Sequence, residues 1–125
     1  MIASAKLKIL CIDSSADDCE LLRFVLSDAG YEVEAVQTLA EGVQIALSSL
    51  PDLYLLDVYL PDGTGFDLVK RIRALTPAAP VIICSADVRE TTRQQATAVG
   101  VQAFMAKPVN LDVLTETVAR LLPGH

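Results

Sequence analysis

Leu53-Tyr54-Leu55-Leu56-Asp57-Val58-Tyr59-Leu60-Pro61-Asp62-Gly63-Thr64-Gly65 decides how the rest of the chain is read. Four apolar residues run into a single carboxylate, and turn-forming residues follow at once. A short, continuous apolar run bounded by turn signals has the character of a strand buried on both faces. Pro61, Gly63 and Gly65 break that strand within eight residues of Asp57. The carboxylate is therefore expected at the C-terminal end of a central strand. In open α/β sheets that edge collects ligands and reactive groups, which makes Asp57 the first candidate functional residue.

The flanking segments repeat one pattern. Leu7 to Ile12 is a β-rich apolar run ended by Asp13-Ser14-Ser15. Leu22, Val25, Leu26 and Ala29 then recur at helical spacing, and Gly30 stands where a left-handed C-cap is expected. Tyr31 to Val36 alternates Glu32 and Glu34 with Val33 and Ala35, the pattern of an edge strand exposed on one face. Thr38-Leu39-Ala40-Glu41 is a capping box; the helix it opens carries Leu39, Val43, Ala46, Leu47 and Leu50 and stops at Pro51.

Beyond the opening stretch, Phe66, Leu68, Val69, Ile72 and Leu75 supply a helical face opposite Asp67, Lys70, Arg71 and Arg73. Thr76 to Pro80 is a loop, and Val81 to Cys84 is another fully buried strand, ended by Ser85-Ala86-Asp87. A polar helix is expected from about Val88 to Val99, held only by Val88, Ala96 and Val99 and hence loosely. Gly100 ends it, Val101 to Ala106 is a short strand closed by Lys107-Pro108, and Asn110 caps a last helix with Leu111, Leu114, Val118 and Leu121 on one face. Strand and helix alternate five times without a repeat or linker. Such alternation demands parallel strands and right-handed crossovers. The expected fold is a doubly wound, flavodoxin-like α/β sheet of five parallel strands in the order 2-1-3-4-5, with five helices on both faces.

A chain of 125 residues is expected to be one domain, residues 1–125 with a core of about 6–122. At 52% hydrophobic and 21% charged, with no Trp, it suits a globular protein with an aliphatic core. A net charge of −6 argues against direct binding of nucleic acid, which needs a basic face. No apolar run approaches the ~18–20 residues needed to cross a bilayer, and Met1 to Lys8 lacks the apolar segment of a signal peptide; a cytoplasmic location without membrane partners is expected. Cys11, Cys19 and Cys84 are odd in number and lack C-x-x-C spacing, so buried, reduced thiols are expected rather than a disulfide or zinc site.

The strand ends present a set of groups: Asp13 after the first, Asp57 after the third, Ser85 after the fourth and Lys107 after the fifth. Each alone has a plain reading. A strand-ending Asp is commonly a turn residue, a Ser before a helix an N-cap, and Lys before Pro a solvated loop charge. Together they suit phosphoryl capture on a carboxylate. Asp57 serves as nucleophile, and a divalent cation offsets the charge of an anionic donor. Mg²⁺ commonly takes one or two carboxylates plus phosphate oxygens and water, which Asp13 and Asp57 offer. Lys107 and the Ser85 hydroxyl can donate to phosphoryl oxygens.

From about Lys6 to Leu122 the chain resembles the receiver domain of two-component response regulators. Four motifs carry the resemblance: Ile9-Leu10-Cys11-Ile12-Asp13, Leu55 to Gly65, Val81-Ile82-Ile83-Cys84-Ser85-Ala86, and Ala106-Lys107-Pro108. The resemblance implies that Asp57 accepts a phosphoryl group from a histidine kinase or phosphotransfer protein, and that Mg²⁺ binds at Asp13, Asp57 and the backbone carbonyl of Tyr59. It places Ser85 and Phe104 at switch positions, Phe104 being open equally to a core-aromatic reading. It makes Tyr59 and Asp87 positions that tune hydrolysis of the acyl phosphate. The chain would then be a phosphoacceptor rather than an enzyme beyond self-phosphorylation from donors and slow self-dephosphorylation. The output surface for an effector or output domain, or for a homodimer, would be the fourth helix, fifth strand and fifth helix. These residues contain no output domain, which fits either a stand-alone receiver or one part of a longer regulator.

The family usually carries an acidic pair after the first strand; here the pair reads Asp13-Ser14. Losing a charged ligand costs about 1.5–3 kcal/mol, roughly ten- to a hundredfold in affinity, so Mg²⁺ binding is expected to be weakened rather than abolished. Ser14 is alternatively a helix cap. The competing reading is a degenerate receiver that acts as a phosphorylation-independent interaction module. A small enzyme or cofactor-binding α/β domain finds little support, since no Gly-rich loop follows the first strand and the one histidine is His125.

Overall fold

Alternate residues of the central strands point to opposite faces of one sheet, and this divides the core in two. The computed structural model describes residues 6–122; residues 1–5 and 123–125, the last of them His125, fall outside the described residues. The elements run β1 (Lys8–Ile12), α1 (Ala16–Asp28), β2 (Glu32–Val36), α2 (Leu39–Ser49), β3 (Leu53–Leu56), β4 (Tyr59–Leu60), β5 (Gly63–Thr64), α3 (Gly65–Leu75), β6 (Val81–Ser85), α4 (Glu90–Ala98), β7 (Ala103–Ala106) and α5 (Leu111–Leu121). Five strands form a parallel sheet in the order β2-β1-β3-β6-β7. With the β4–β5 hairpin set aside, that is the expected flavodoxin-like 2-1-3-4-5 arrangement with five helices. No described helix is long and apolar enough to cross a membrane.

On one face Leu10, Ile12, Tyr54 and Leu56 pack against Leu39 and Ala46 of α2, Leu68 and Ile72 of α3, and Ala96 of α4. On the other, Ile9, Cys11, Leu53 and Leu55 meet Leu22 and Leu26 of α1 and Leu114 and Val118 of α5. Each fully buried aliphatic side chain contributes about 1.5–3 kcal/mol of transfer free energy, so the strand pattern alone orients both helical layers. All three cysteines are free and buried, as expected of small apolar side chains.

Three details depart from the sequence reading. Leu47 and Leu50, expected on the buried face of α2, are each 58% exposed. Leu47 sits one residue round the helix from buried Ala46, and Leu50 leaves the helix altogether in a left-handed C-cap (φ 48°). Gly42 and Ile45 take their place against the core. Val88 is exposed and precedes α4, whose buried face is made by Thr92 and Ala96. Finally, the turn after β3 forms a two-residue antiparallel hairpin, Tyr59 opposite Thr64 and Leu60 opposite Gly63.

That hairpin returns the chain tightly over Asp57. Thr64 caps α3 by accepting from the Asp67 N–H, and Gly65 N–H donates to the Val58 carbonyl at 2.7 Å. A Cβ on Gly65 would overlap the backbone carbonyl of Asp57. Gly65→Ala is therefore expected to destabilise the fold by about 1–3 kcal/mol, the usual cost of overpacking. Urea unfolding should show a lower midpoint at unchanged slope; an unchanged midpoint would mean that the turn relaxes freely.

Candidate functional site

The parallel ladder itself sets the site residues in place, because three of them extend it by one hydrogen bond beyond the strand ends. Asp13 N–H donates to the Val36 carbonyl at 3.0 Å, Asp57 N–H to Ile12 at 2.9 Å, and Lys107 N–H to Ser85 at 2.9 Å. Their backbones are thus fixed at one sheet edge, and their side chains meet. Lys107 Nζ donates to Asp13 Oδ2 at 2.7 Å, to Asp18 Oδ2 at 3.1 Å and to Asp57 Oδ2 at 3.3 Å. Asp13 and Asp57 are both buried. Burial works against the charged form of Lys107, but hydrogen bonds to Asp13 and Asp18, with the charges of Asp13 and Asp57, outweigh it and raise the ammonium pKa above its usual value. Buried carboxylates are tolerated in a fold when such a partner is present.

Ser85 is buried at the end of β6, and its Oγ accepts a hydrogen bond from the Asp87 N–H at 3.0 Å. It shares a cavity of about 380 Å³ with Asp57, Ser14, Tyr59, Asp87 and Lys107. Ser14 is exposed and donates weakly to Asp57 Oδ2 at 3.4 Å. The cap of α1 is Ser15, not Ser14: Ser15 Oγ accepts from the Asp18 N–H, and Ser15 N–H donates to Asp13 Oδ1 at 2.9 Å. Ser15-Ala16-Asp17-Asp18 carries the S-x-x-[DE] pattern that marks such a cap in sequence. Phe104 is half-buried on β7 beside the core, and the Arg93 guanidinium of α4 lies 4.7 Å from its ring centroid. Burial pushes the thiol of neighbouring Cys84 up to about 12, which leaves it protonated and unreactive near neutral pH.

Above the cavity, Asp87 gathers a latch that the sequence does not signal. Its carboxylate accepts from the Tyr59 hydroxyl at 2.7 Å, from Arg89 Nε and Nη2 at 2.9 and 2.8 Å, and from the buried Thr92 hydroxyl of α4 at 2.9 Å. Tyr59 and Asp87, each two residues beyond a site residue, are thus joined to one another. The other group missed is Asp18. It reads as an ordinary acidic residue in the first turn of a helix, and only the tertiary fold carries it to Lys107, 89 positions away.

Asp13 and Asp57 reach the same ammonium through one oxygen each, so both carboxylates can also face one hard cation. Two carboxylates with water and phosphate oxygens suit Mg²⁺, and the donor set fits a modestly held ion. Among the described residues no group of three or more His, Cys, Asp or Glu side chains is arranged to hold a metal ion by itself.

Hydrogen bonds from Arg89, followed by those from Tyr59, hold the Asp87 carboxyl well below the usual carboxylate range. A depressed folded-state pKa gives stability that is present above the unfolded value of about 3.9 and fades as pH falls through the folded value. Carboxyl NMR should place the Asp87 midpoint below about 3.9 and move it upward in Tyr59→Phe. A midpoint at the ordinary value would remove the latch from solution.

A family model described as the response regulator receiver domain matches residues 9–119. Protein PilH of Pseudomonas aeruginosa is 29% identical over 119 residues, covering 94% of this chain and 98% of that protein. Response regulator protein PilR of the same species is 35% identical over 115 residues, 92% of this chain but only 26% of PilR. Among solved structures, chemotaxis protein CheY4 of Vibrio cholerae superposes with a TM-score of 0.88 at 31% identity, over 94% of this chain and 100% of that one.

Proposed function

We propose that this chain, which belongs to the response regulator receiver domain family, accepts a phosphoryl group on Asp57 from a sensor histidine kinase or phosphotransfer protein. One observation carries the reading: the Lys107 ammonium lies within hydrogen-bond reach of both Asp13 and Asp57, beside a cavity lined by Ser85. An Asp57 carboxylate oxygen attacks phosphorus in line with the donor's P–N bond, and the bonding pair leaves on the imidazole nitrogen. Lys107 then donates to one phosphoryl oxygen and the Ser85 hydroxyl to another. Asp13 and Asp57, with the backbone carbonyl of Tyr59, would hold Mg²⁺, which offsets charge between the anionic donor and acceptor.

Residues 1–125 act as one receiver domain in this reading, located in the cytoplasm, where the kinase would supply the phosphoryl group. The signal leaves through α4, β7 and α5. Ser85, at the end of β6, and Phe104, within β7, are the switch residues, and the face they control meets an effector, an output domain or a second copy. Ser14 favours a second reading, a phosphorylation-independent interaction module, because it leaves the metal with two carboxylates.

Intact mass separates the two. Incubation with a small phosphodonor and Mg²⁺ should add one phosphoryl group, and Asp57→Ala or a chelator should abolish the addition. Ser14→Asp should tighten Mg²⁺ binding by roughly ten- to a hundredfold, the worth of one charge-assisted ligand. Labelling that persists in Asp57→Ala, or no labelling even at saturating Mg²⁺, contradicts the phosphoacceptor reading.

A further inference from the structure

Three carboxylates share one ammonium, and they differ in how firmly they can hold it. The Asp13 side chain is 4% exposed and the Asp57 side chain 11%, whereas that of Asp18 is 42% exposed. The buried contact to Asp13 is costly to break, while an ion pair to a half-exposed carboxylate is screened and breaks cheaply. Asp18 is nevertheless well placed. Ser15 Oγ accepts from the Asp18 backbone N–H and Ser15 N–H donates to the Asp13 carboxylate, so Asp13, Ser15, Asp18 and Lys107 close a ring of contacts.

Lys107 is also the wall between two cavities. On one side lies the 380 Å³ space with Asp57, Ser14 and Ser85; on the other, a space of about 440 Å³ lined by Asp13, Asp18, Leu21, Leu22 and Pro108. Asp18 lines only the second. A carboxylate there draws the ammonium toward α1, and the contact to Asp57, at 3.3 Å, is the longest of the three.

We propose that Asp18 is a positioning residue for Lys107: it anchors the ammonium on the α1 side of the resting site and yields it to the phosphoryl group on Asp57. Its consequence rests on the phosphoacceptor reading; the anchoring itself does not. The charge missing at Ser14 thus reappears on the far side of Lys107, where it governs the lysine rather than the metal.

The chain has four lysines, Lys6, Lys8, Lys70 and Lys107, so the ε-methylene NMR signal of Lys107 can be assigned with Lys107→Arg. In metal-free protein, Asp18→Asn should shift that signal. Asp17→Asn, an equal charge change on an exposed residue of the same turn, should leave it in place, and Asp18→Glu should retain the wild-type position. With Mg²⁺ present, Asp18→Asn should bind beryllofluoride about three- to tenfold more tightly, because the lysine no longer has to be drawn off a partner. Equal effects of Asp17→Asn and Asp18→Asn on both readouts overturn the proposal, as does a Lys107 signal indifferent to Asp18→Asn. Failure of every variant to bind beryllofluoride removes the phosphoacceptor reading and the release step with it, while the Lys107 signal still decides the anchor.

Discussion

A single ammonium holds together segments that the chain keeps far apart. Lys107 follows β7, Asp57 follows β3, Asp13 follows β1 and Asp18 lies in the first turn of α1, yet all three carboxylates accept hydrogen bonds from one nitrogen. Without it, two buried carboxylates at the same sheet edge would face each other unscreened. A cationic centre between carboxylates can be redirected to an incoming anion, and the Asp57 carboxylate stands on a backbone tied into the β ladder by its N–H bond to Ile12.

The surroundings connect that centre to the far end of the sheet. Ser85 is bonded to the Asp87 amide, and the Asp87 side chain in turn holds Tyr59, Arg89 and Thr92. Arg93, one residue on from Thr92, covers the Phe104 ring on β7. A displacement of the Ser85 hydroxyl toward Asp57 therefore acts on a continuous set of contacts reaching α4 and β7. Thr92 and Ala96 are the buried residues of α4, so the helix on this path is the one with least apolar burial to resist a shift.

Much of the fold was legible because parallel strands buried on both faces must be apolar along their whole length. Leu53 to Leu56 and Val81 to Cys84 carry that signature, and each ends on a polar residue whose position follows from topology. Asp13, Asp57, Ser85 and Lys107 could thus be assigned to one edge from spacing alone. Leu47, Leu50 and Val88 misled because each lies at or near an element's end, where a small change in helix phase or one left-handed residue moves a side chain from core to solvent. Asp18 and the Asp87 latch were hidden for a different reason. Exposed acids in helix turns are common, and only the packing of α1 against the sheet and of the β6–α4 loop over Tyr59 assigns them partners.

The most direct test is a crystal structure with Mg²⁺ and beryllofluoride bound. The account predicts that beryllium is bonded to an Asp57 carboxylate oxygen, that Lys107 Nζ has left Asp18 for a fluorine within hydrogen-bond reach, and that the Ser85 hydroxyl has turned from the Asp87 amide toward the same group. Beryllofluoride on Asp57 with Lys107 still on Asp13 and Asp18, and Ser85 unmoved, would contradict it.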